Sequence, residues 1–217
     1  MRIRRGWEHF GEPVGYSEAG SRADRKGWRV IREVMWSTWD APGLEHLRLS
    51  MHNDGVVADG IVIGVTEGRP FRVAYEVRCD VGWRVRAVRV GVPGSELPGV
   101  DLLSDGQGNW TTPDGHAVSE LRGCIDVDIS VTPFTNTLPI RRLGLAPTGS
   151  AELSVAYFEG TELQAWPEPQ RYTCLEKSSR GGLYRFLSLD GGLTADLPVD
   201  ADGLVLDYPG LFKRVLP

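Results

Sequence analysis

The chain has 217 residues, of which 41% are hydrophobic and 24% charged, and its formal net charge is -5. This is the composition of a globular protein with enough chain for one large domain. The acidic balance disfavours nucleic acid and anionic membrane surfaces as partners, because both select proteins with a basic surplus.

Residues 1–28 are polar, glycine-rich and charged without a sustained period, which predicts a flexible or loosely docked N-terminal extension. The first residues are basic, but no apolar run follows them, so no export signal is predicted. The most apolar stretch, VVADGIVIGV, is too short to cross a bilayer. We therefore expect a cytoplasmic protein without a transmembrane segment, whose folded domain spans residues 29–217.

Strand patterns dominate the rest of the chain. In FRVAYEVRCD (71–80) and AELSVAYF (151–158) apolar residues recur at every second position, the pattern of half-buried strands. Turn pairs such as Asp54-Gly55 and the DGQGNW turn separate the runs. Only short helical turns are predicted, near 42–47 and 209–214. The chain is thus predicted to be all-β, and its antiparallel sheet must close, double or curl.

The polar faces of these strands carry several arginines, among them Arg72, Arg84 and Arg86. In a curled sheet such a face would line a wet cavity, whereas in a sandwich it would form the outer surface. The periodicity is compatible with both arrangements.

Two carboxylates stand out in the strand pattern GCIDVDISV (123–131). Asp126 and Asp128 project from the same face, with Cα atoms roughly 6.6–6.8 Å apart by strand geometry. Glycosidases place their carboxyl groups on opposite sides of the scissile bond, whereas neighbours on one strand stand side by side. We therefore expect pairing with arginines such as Arg72, Arg84 or Arg86, or hydrogen bonding to a ligand, ahead of catalysis.

The following stretch, PFTNTLPIRRL (133–143), contains two prolines. Pro133 and Pro139 cannot donate to a β ladder, and the residues before them, Thr132 and Leu138, are biased toward extended backbone. This pattern predicts a stiff corner of the sheet.

The same stretch offers polar side chains at close spacing. Thr135, Asn136 and Thr137 either hydrogen-bond a ligand headgroup or fasten the corner. Arg141 and Arg142 either clamp an anion or pair with the aspartates upstream, and pairing is the expected role.

Cysteines and histidines show no catalytic or metal-binding spacing. Cys79, Cys124 and Cys174 are far apart and predict buried free thiols in a reducing compartment. His46 and His52 leave a metal site as a minor alternative. The sequence contains no nucleophile elbow and no phosphate-binding loop, so no cofactor is predicted.

Several motifs occur in a recognisable order. GLEHLRLS, YEVRCDVGWRVRAVRV, DGQGNW, GCIDVDISVTPFTNTLPIRRL, QRYT and GLVLDYPGLF together resemble the bacterial family described as putative glycolipid-binding proteins. The resemblance covers most of the chain after residue 30. It implies a single, strongly curved antiparallel sheet, a half-barrel with little helix, similar to the carriers that ferry lipoproteins across the bacterial periplasm. Because no export signal is predicted, the periplasmic shuttle role of those carriers is not expected here.

The leading hypothesis is non-enzymatic binding of an amphipathic ligand, such as a glycolipid, in the concave trough of the sheet. Most of the seven tryptophans are expected to pack in the core or at its rim, and one or two could stack on a sugar or an acyl chain. Two alternatives stay open: a hydrolase of sugar or ester bonds that uses Asp126 or Asp128, and a scaffold whose open sheet edge pairs with a partner strand. The candidate ligand contacts are Arg84, Arg86, Asp126, Asp128, Thr135, Asn136, Arg141 and Tyr172 of the QRYT motif.

Overall fold

The computed structural model describes residues 28–96 and 98–216. The proposed extension, residues 1–28, lies outside the described residues, apart from residue 28, at which the first strand begins.

Short helices interrupt the strands at Ser119–Leu121, Phe134–Asn136 and Thr137–Leu143; only the last is an α-helix and is called α1. The strands in chain order are β1 (Trp28–Thr38), β2 (Gly43–His52), β3 (Val56–Thr66), β4 (Arg69–Cys79), β5 (Val85–Gly91), β6 (Val100–Ser104), β7 (Trp110–Thr111), β8 (Asp126–Ile129), β9 (Ser150–Glu159), β10 (Gln164–Ser178), β11 (Gly181–Ser188), β12 (Thr194–Asp200), β13 (Asp207–Tyr208) and β14 (Phe212–Leu216).

The strands form two sheets. Sheet A is a large antiparallel sheet with nine strands in the order β13-β14-β1-β2-β3-β4-β5-β6-β7. Sheet B is a half-barrel with the order β12-β11-β10-β9-β8, in which β8 and β9 are parallel. The predicted all-β fold with a half-barrel and little helix is confirmed. The prediction of a single sheet is wrong, since strongly twisted open sheets of this many strands tend to divide into two packed layers.

Alternation along β4 agrees with the prediction made for 71–80. Val73, Tyr75 and Val77 are buried against the second layer, whereas Arg72 is exposed on the outer face. This alternation holds because successive side chains of a strand point to opposite faces of the sheet.

Neither predicted helical turn is helical in the structure. The stretch 42–47 lies mostly within β2, whose residues alternate between buried and exposed positions as it pairs with β1 and β3. The stretch 209–214 is a tight turn that leads into β14. Neighbouring strands on both sides of β2 and β14 supply the hydrogen bonds that a helical turn would have formed internally.

The segment that follows β8, residues 130–143, is largely helical and mostly buried instead of being an extended corner. It contains the helices at 134–136 and 137–143, and every residue from 131 to 140 is buried. Leu138 is therefore helical despite the proline that follows it. Pro139 fits because it lies in the first turn of α1, where a backbone N–H would have no partner within the helix. Gly144, in the left-handed conformation with φ of 56°, ends α1.

Sheet A packs against β8 and β9, on one face of sheet B. Val127 and Ile129 of β8 and Phe158 of β9 join the inner side chains of sheet A in one core cluster. The side chains at alternate positions of β8, Asp126 and Asp128, consequently point away from sheet A, to the side of sheet B that is called the concave side of the half-barrel below.

A second core cluster fills one end of that concave side. Ile140 from the helical segment and Tyr208 from β13 pack there on the inner side chains of β10, β11 and β12. The three cysteines are free and buried, as predicted.

Candidate functional site

The other end of the concave face holds a cavity of about 450 Å³. Strands β8 to β11 form its wall, the helical segment contributes Thr132 and Asn136, and the chain from Tyr208 to Phe212 borders it on the remaining side. Phe186 and Tyr208 of the second core cluster also line the cavity, so the cavity directly adjoins that cluster.

Aromatic, acidic and neutral polar side chains line the cavity. Its aromatic side chains are Tyr157, Trp166, Phe186, Tyr208 and Phe212. Its carboxylates are Asp128, Glu168 and Asp190. Its neutral polar groups are Ser130, Thr132, Asn136 and Ser188.

The strand register brings these residues together. Asp128 of β8 lies opposite Tyr157 of β9, and Tyr157 lies opposite Trp166 of β10. Glu168 and Gln170 follow Trp166 on the same face, because the side chains of a strand alternate. Residues far apart in the chain thus share one wall.

The carboxylate of Asp128 is held by two neutral donors. The Thr135 hydroxyl donates to its Oδ1 at 2.9 Å, and the Gln170 amide donates to its Oδ2 at 2.7 Å. Burial raises the pKa of Asp128 from 3.8 to about 6; these two hydrogen bonds oppose that rise, whereas the neighbouring charge of Glu168 adds to it. A carboxylate offers about four acceptor positions, so Asp128 retains capacity to accept hydrogen bonds from a ligand.

Asn136 and Tyr172 extend this network. The buried Tyr172 hydroxyl donates to Oδ1 of Asn136 at 2.9 Å and lies 3.4 Å from Oε1 of Gln170. Asn136 is thereby fixed with one edge toward the cavity, and Gln170 links Tyr172 to Asp128. The network holds its polar groups in place before any ligand arrives.

Glu168 has a separate support on the neighbouring strand. The Ser188 hydroxyl donates to its Oε1 at 2.8 Å, and the same hydroxyl oxygen accepts from the Gly191 backbone N–H at 3.0 Å. The negative charges of Asp128 and Glu168 also act on Tyr157, whose pKa rises to about 12, chiefly because of burial and then because of these charges. The potential inside the cavity is therefore negative.

The aromatic side chains form a connected wall. Tyr157 and Trp166 lie with ring centroids 4.9 Å apart, and Phe186 contacts Tyr208 at 6.2 Å. Tyr208 in turn contacts Phe212 at 6.3 Å. Trp166 is 40% exposed and stands at the mouth, so its ring is available to a ligand.

Asp126 has a structural partner and does not line the cavity. Its carboxylate is fully buried and accepts a bidentate pair from Arg142, with Nε at 2.9 Å from Oδ1 and Nη2 at 2.5 Å from Oδ2. Burial raises the pKa of Asp126, and the Arg142 guanidinium opposes that rise. The predicted pairing with an upstream aspartate is confirmed for Arg142, whereas Arg141 stacks on Trp83 instead. Arg72, Arg84 and Arg86 are not the partners of Asp126 or Asp128.

A second buried carboxyl lies behind the cavity wall. Glu45 of β2 accepts hydrogen bonds from the Tyr75 hydroxyl at 2.5 Å and from the Thr132 hydroxyl at 2.7 Å, both at Oε1. Oε2 has no partner within the described part of the chain. Burial raises the pKa of Glu45 from 4.5 to about 7. Gly60 makes room for this arrangement, since a Cβ there would lie 2.2 Å from the Tyr75 ring.

Half of the predicted ligand contacts gather at the cavity. Asp128 and Asn136 line it, and Thr135 and Tyr172 hold them in position.

The predicted arginines lie elsewhere. Arg84 and Arg86 are exposed near the outer face of β5, where Arg86 lies 3.8 Å from Asp80. Arg141 stacks its guanidinium over the Trp83 ring at 5.0 Å and borders a separate cavity of about 110 Å³.

Trp166, Glu168 and Tyr208 were not predicted as site residues. The sequence contains a pattern that could have identified the first two. Trp166 and Glu168 lie at alternate positions of the same strand as Gln170 and Tyr172, so all four side chains point to one face. No local pattern marks Tyr208, which reaches the cavity only through the packing of β13 beside the half-barrel.

Within residues 28–96 and 98–216, no group of three or more histidine, cysteine, aspartate and glutamate side chains is placed to hold a metal ion. In the same ranges no helix has the length and apolar character needed to cross a membrane.

The fold and the cavity define an all-β protein with a half-barrel whose hollow is lined by rings and carboxylates. The chain belongs to the family described as "Putative glycolipid-binding", whose profile matches residues 33–214. The motif resemblance noted in the sequence is thereby confirmed. No functionally curated protein matches the chain.

The fold is also similar to a solved structure. The crystal structure of a DUF1089 family protein from Pseudomonas aeruginosa, at 1.80 Å resolution, superposes with a TM-score of 0.71. The two sequences are 34% identical, and the match covers 94% of this chain and 100% of that chain.

Proposed function

We propose that this chain binds a single-chain or similarly small glycolipid without transforming it, with the glycosyl headgroup in the cavity of sheet B. The observation that carries the proposal is the 450 Å³ cavity itself, which lies within the range of small-molecule sites. The family name supports the same ligand class.

The two ends of the cavity suit the two ends of an amphipathic molecule. Inside, the carboxylates of Asp128 and Glu168 and the amide of Asn136 offer hydrogen bonds to sugar hydroxyls. At the mouth, Trp166, Leu193 and Leu211 are 39–45% exposed and present apolar surface to an alkyl chain. The ligand is thus expected to enter headgroup first.

Binding is favoured over hydrolysis by Asp126 and Asp128. Arg142 occupies the carboxylate of Asp126, so the two aspartates do not act as a free pair.

The three buried free thiols support a reducing compartment, and we place the protein in the cytoplasm on that ground.

Titration with decyl β-D-glucopyranoside, below its micelle concentration, is the first test. We expect a one-to-one complex in native mass spectrometry and a saturable change in tryptophan fluorescence. Trp166→Ala should weaken binding about five- to tenfold, because an aromatic contact contributes about 1–1.5 kcal/mol.

Ile61→Ala is the matched control. Ile61 is similarly exposed, at 47%, but lies on β3 of sheet A and does not line the cavity, so its loss should leave the affinity unchanged. Equal weakening by both substitutions, or the absence of any complex at saturating glucoside, would overturn the proposal. Release of free glucose in the same assay would favour the hydrolase alternative.

A further inference from the structure

Every ionisable side chain that lines the cavity, apart from tyrosines, is a carboxylic acid. Asp128, Glu168 and Asp190 contribute these groups, and no arginine, lysine or histidine of the described ranges lines the same surface. Elsewhere in those ranges arginines pair with carboxylates repeatedly, as with Asp196, Asp101 and Asp126. The lack of a cation in the cavity therefore contrasts with the rest of the molecule.

The same contrast between carboxylates with and without a cationic partner occurs within β8, at Asp126 and Asp128. Both face the concave side, but the carboxylate of Asp126 has the guanidinium of Arg142, whereas that of Asp128 has only the Thr135 hydroxyl and the Gln170 amide. A carboxylate withdrawn from water without a positive partner is destabilised in its ionised form. Asp128 is consequently the group that a positively charged ligand would stabilise most.

The aromatic wall is an independent feature that favours the same ligand chemistry. Tyr157 and Trp166, with Phe186, Tyr208 and Phe212, surround the space next to the two inner carboxylates. Faces of aromatic rings attract ammonium groups, and cages of such rings combined with acidic residues are a recurrent means of binding them. A wall of this type would gain nothing from an anionic headgroup.

We propose that the cavity selects a headgroup bearing a positively charged amine, such as an amino sugar, and rejects phosphate, sulfate and carboxylate headgroups. The inference rests on the proposed function, because it names the ligand class of the same site. It assigns Asp128 and Glu168 as the specificity-determining residues, with the aromatic wall as the second contact of the ammonium group.

Three decyl glycosides test the inference, and the two charged ones each differ from decyl glucoside at a single carbon, C2 in the amino sugar and C6 in the glucuronide. Decyl 2-amino-2-deoxyglucoside carries a cation, decyl glucoside is neutral, and decyl glucuronide carries an anion. At pH 7 we expect the amine to bind at least tenfold more tightly than the neutral glucoside, and the glucuronide at least tenfold more weakly. Isothermal titration calorimetry below the micelle concentration measures all three dissociation constants.

The pH dependence of binding provides a second test. The titratable groups that face Asp128 are Glu168 of β10, Tyr157 of β9, Tyr172 of β10 and Tyr208 of β13. The pKa of Asp128 is about 6, so at pH 5 most of its charge is absent while the amine of the ligand stays protonated. The advantage of the amine over the neutral glucoside should shrink severalfold between pH 7 and pH 5.

Charge-neutral variants complete the design. Asp128→Asn and Glu168→Gln should each weaken binding of the amine at least fivefold more than binding of the neutral glucoside, because each removes a negative charge that only the amine uses. Glu152→Gln, which removes an exposed carboxylate of β9 outside the cavity, should leave the preference unchanged.

Each outcome bears on one proposal or the other. Binding of all three glycosides with equal affinity, or a preference that persists in Asp128→Asn and Glu168→Gln, overturns the amine inference and leaves glycolipid binding intact. Failure of every glycoside to bind overturns the proposed function itself.

Discussion

Replacing Arg142 with alanine is expected to lower the free energy of unfolding at pH 7 by about 3–5 kcal/mol, the usual cost of breaking a buried ion pair. The substitution removes the bidentate partner of the Asp126 carboxylate, which is fully buried in the folded protein. Urea denaturation followed by circular dichroism gives the free energy directly.

Two further variants serve as controls for this result. Arg141→Ala removes the adjacent, exposed arginine, whose stacking on Trp83 contributes only about 0.5–1 kcal/mol. The double variant Asp126→Leu/Arg142→Leu should recover most of the stability, because removal of both charges leaves no unpaired group. A loss of less than about 1 kcal/mol in Arg142→Ala would contradict the buried pairing.

The second large effect concerns Glu45 and depends on pH. The pKa of Glu45 is raised by burial from 4.5 to about 7, so the folded state favours the protonated carboxyl. The stability that this group contributes is complete below pH 4.5 and is lost as the pH rises through 7. The protein should therefore lose about 3 kcal/mol over that interval through Glu45 alone.

Glu45→Gln removes this dependence. An amide oxygen still accepts from the hydroxyls of Tyr75 and Thr132, so the variant should match the unsubstituted protein near pH 4.5 and exceed its stability at pH 8 by up to about 3 kcal/mol. Asp128 acts in the same direction between about pH 4 and pH 6 in both proteins, so the difference between the two curves isolates Glu45. Parallel curves for the two proteins would refute the prediction.

Glu33→Gln serves as the control for charge. Glu33 is exposed on β1, one strand away from Glu45, so its replacement should leave the pH profile of stability unchanged. A shift as large as that of Glu45→Gln would show that net charge, and not burial, determines the profile.

The strand character of the chain could be predicted because alternation is a local property. In β4 the alternate positions of Val73, Tyr75 and Val77 correctly identify the buried face, because one side of that strand packs in the core and the other faces solvent. β8 shows the limit of the same reasoning. Val127 packs on sheet A while Asp126 is fully buried on the opposite side, and a period of two cannot reveal that both faces are covered.

The helical segment was missed for a different physical reason. Its seven-residue α1 is too short to show a helical period, and the prolines of 133–143 read as breaks. Only the position of Pro139 within the first turn makes the helix possible. Consecutive residues of a helix lie about 100° apart, which sends Arg142 to Asp126 and Arg141 to Trp83.

The site could be predicted only where its residues lie close in the sequence. Asp128, Thr135 and Asn136 come from one stretch and meet at the cavity, whereas Arg84 and Arg86 were grouped with them by charge alone. Tyr208 lies on β13, about 80 residues after β8 in the chain, and reaches the cavity through the packing of β13 beside sheet B. Contacts between residues so far apart leave no periodic pattern in the local sequence.

The pairing of β14 with β1 affects how the protein is made. Residues 36–38 bond to residues 212–214, so the edge of β1 remains without its neighbour until the ribosome has released almost the entire described chain. Pairings of such long sequence separation slow folding, and an uncovered strand edge invites association with other chains in the meantime. Chaperone demand and yield at high expression rates should therefore depend on how quickly the last strand closes the gap.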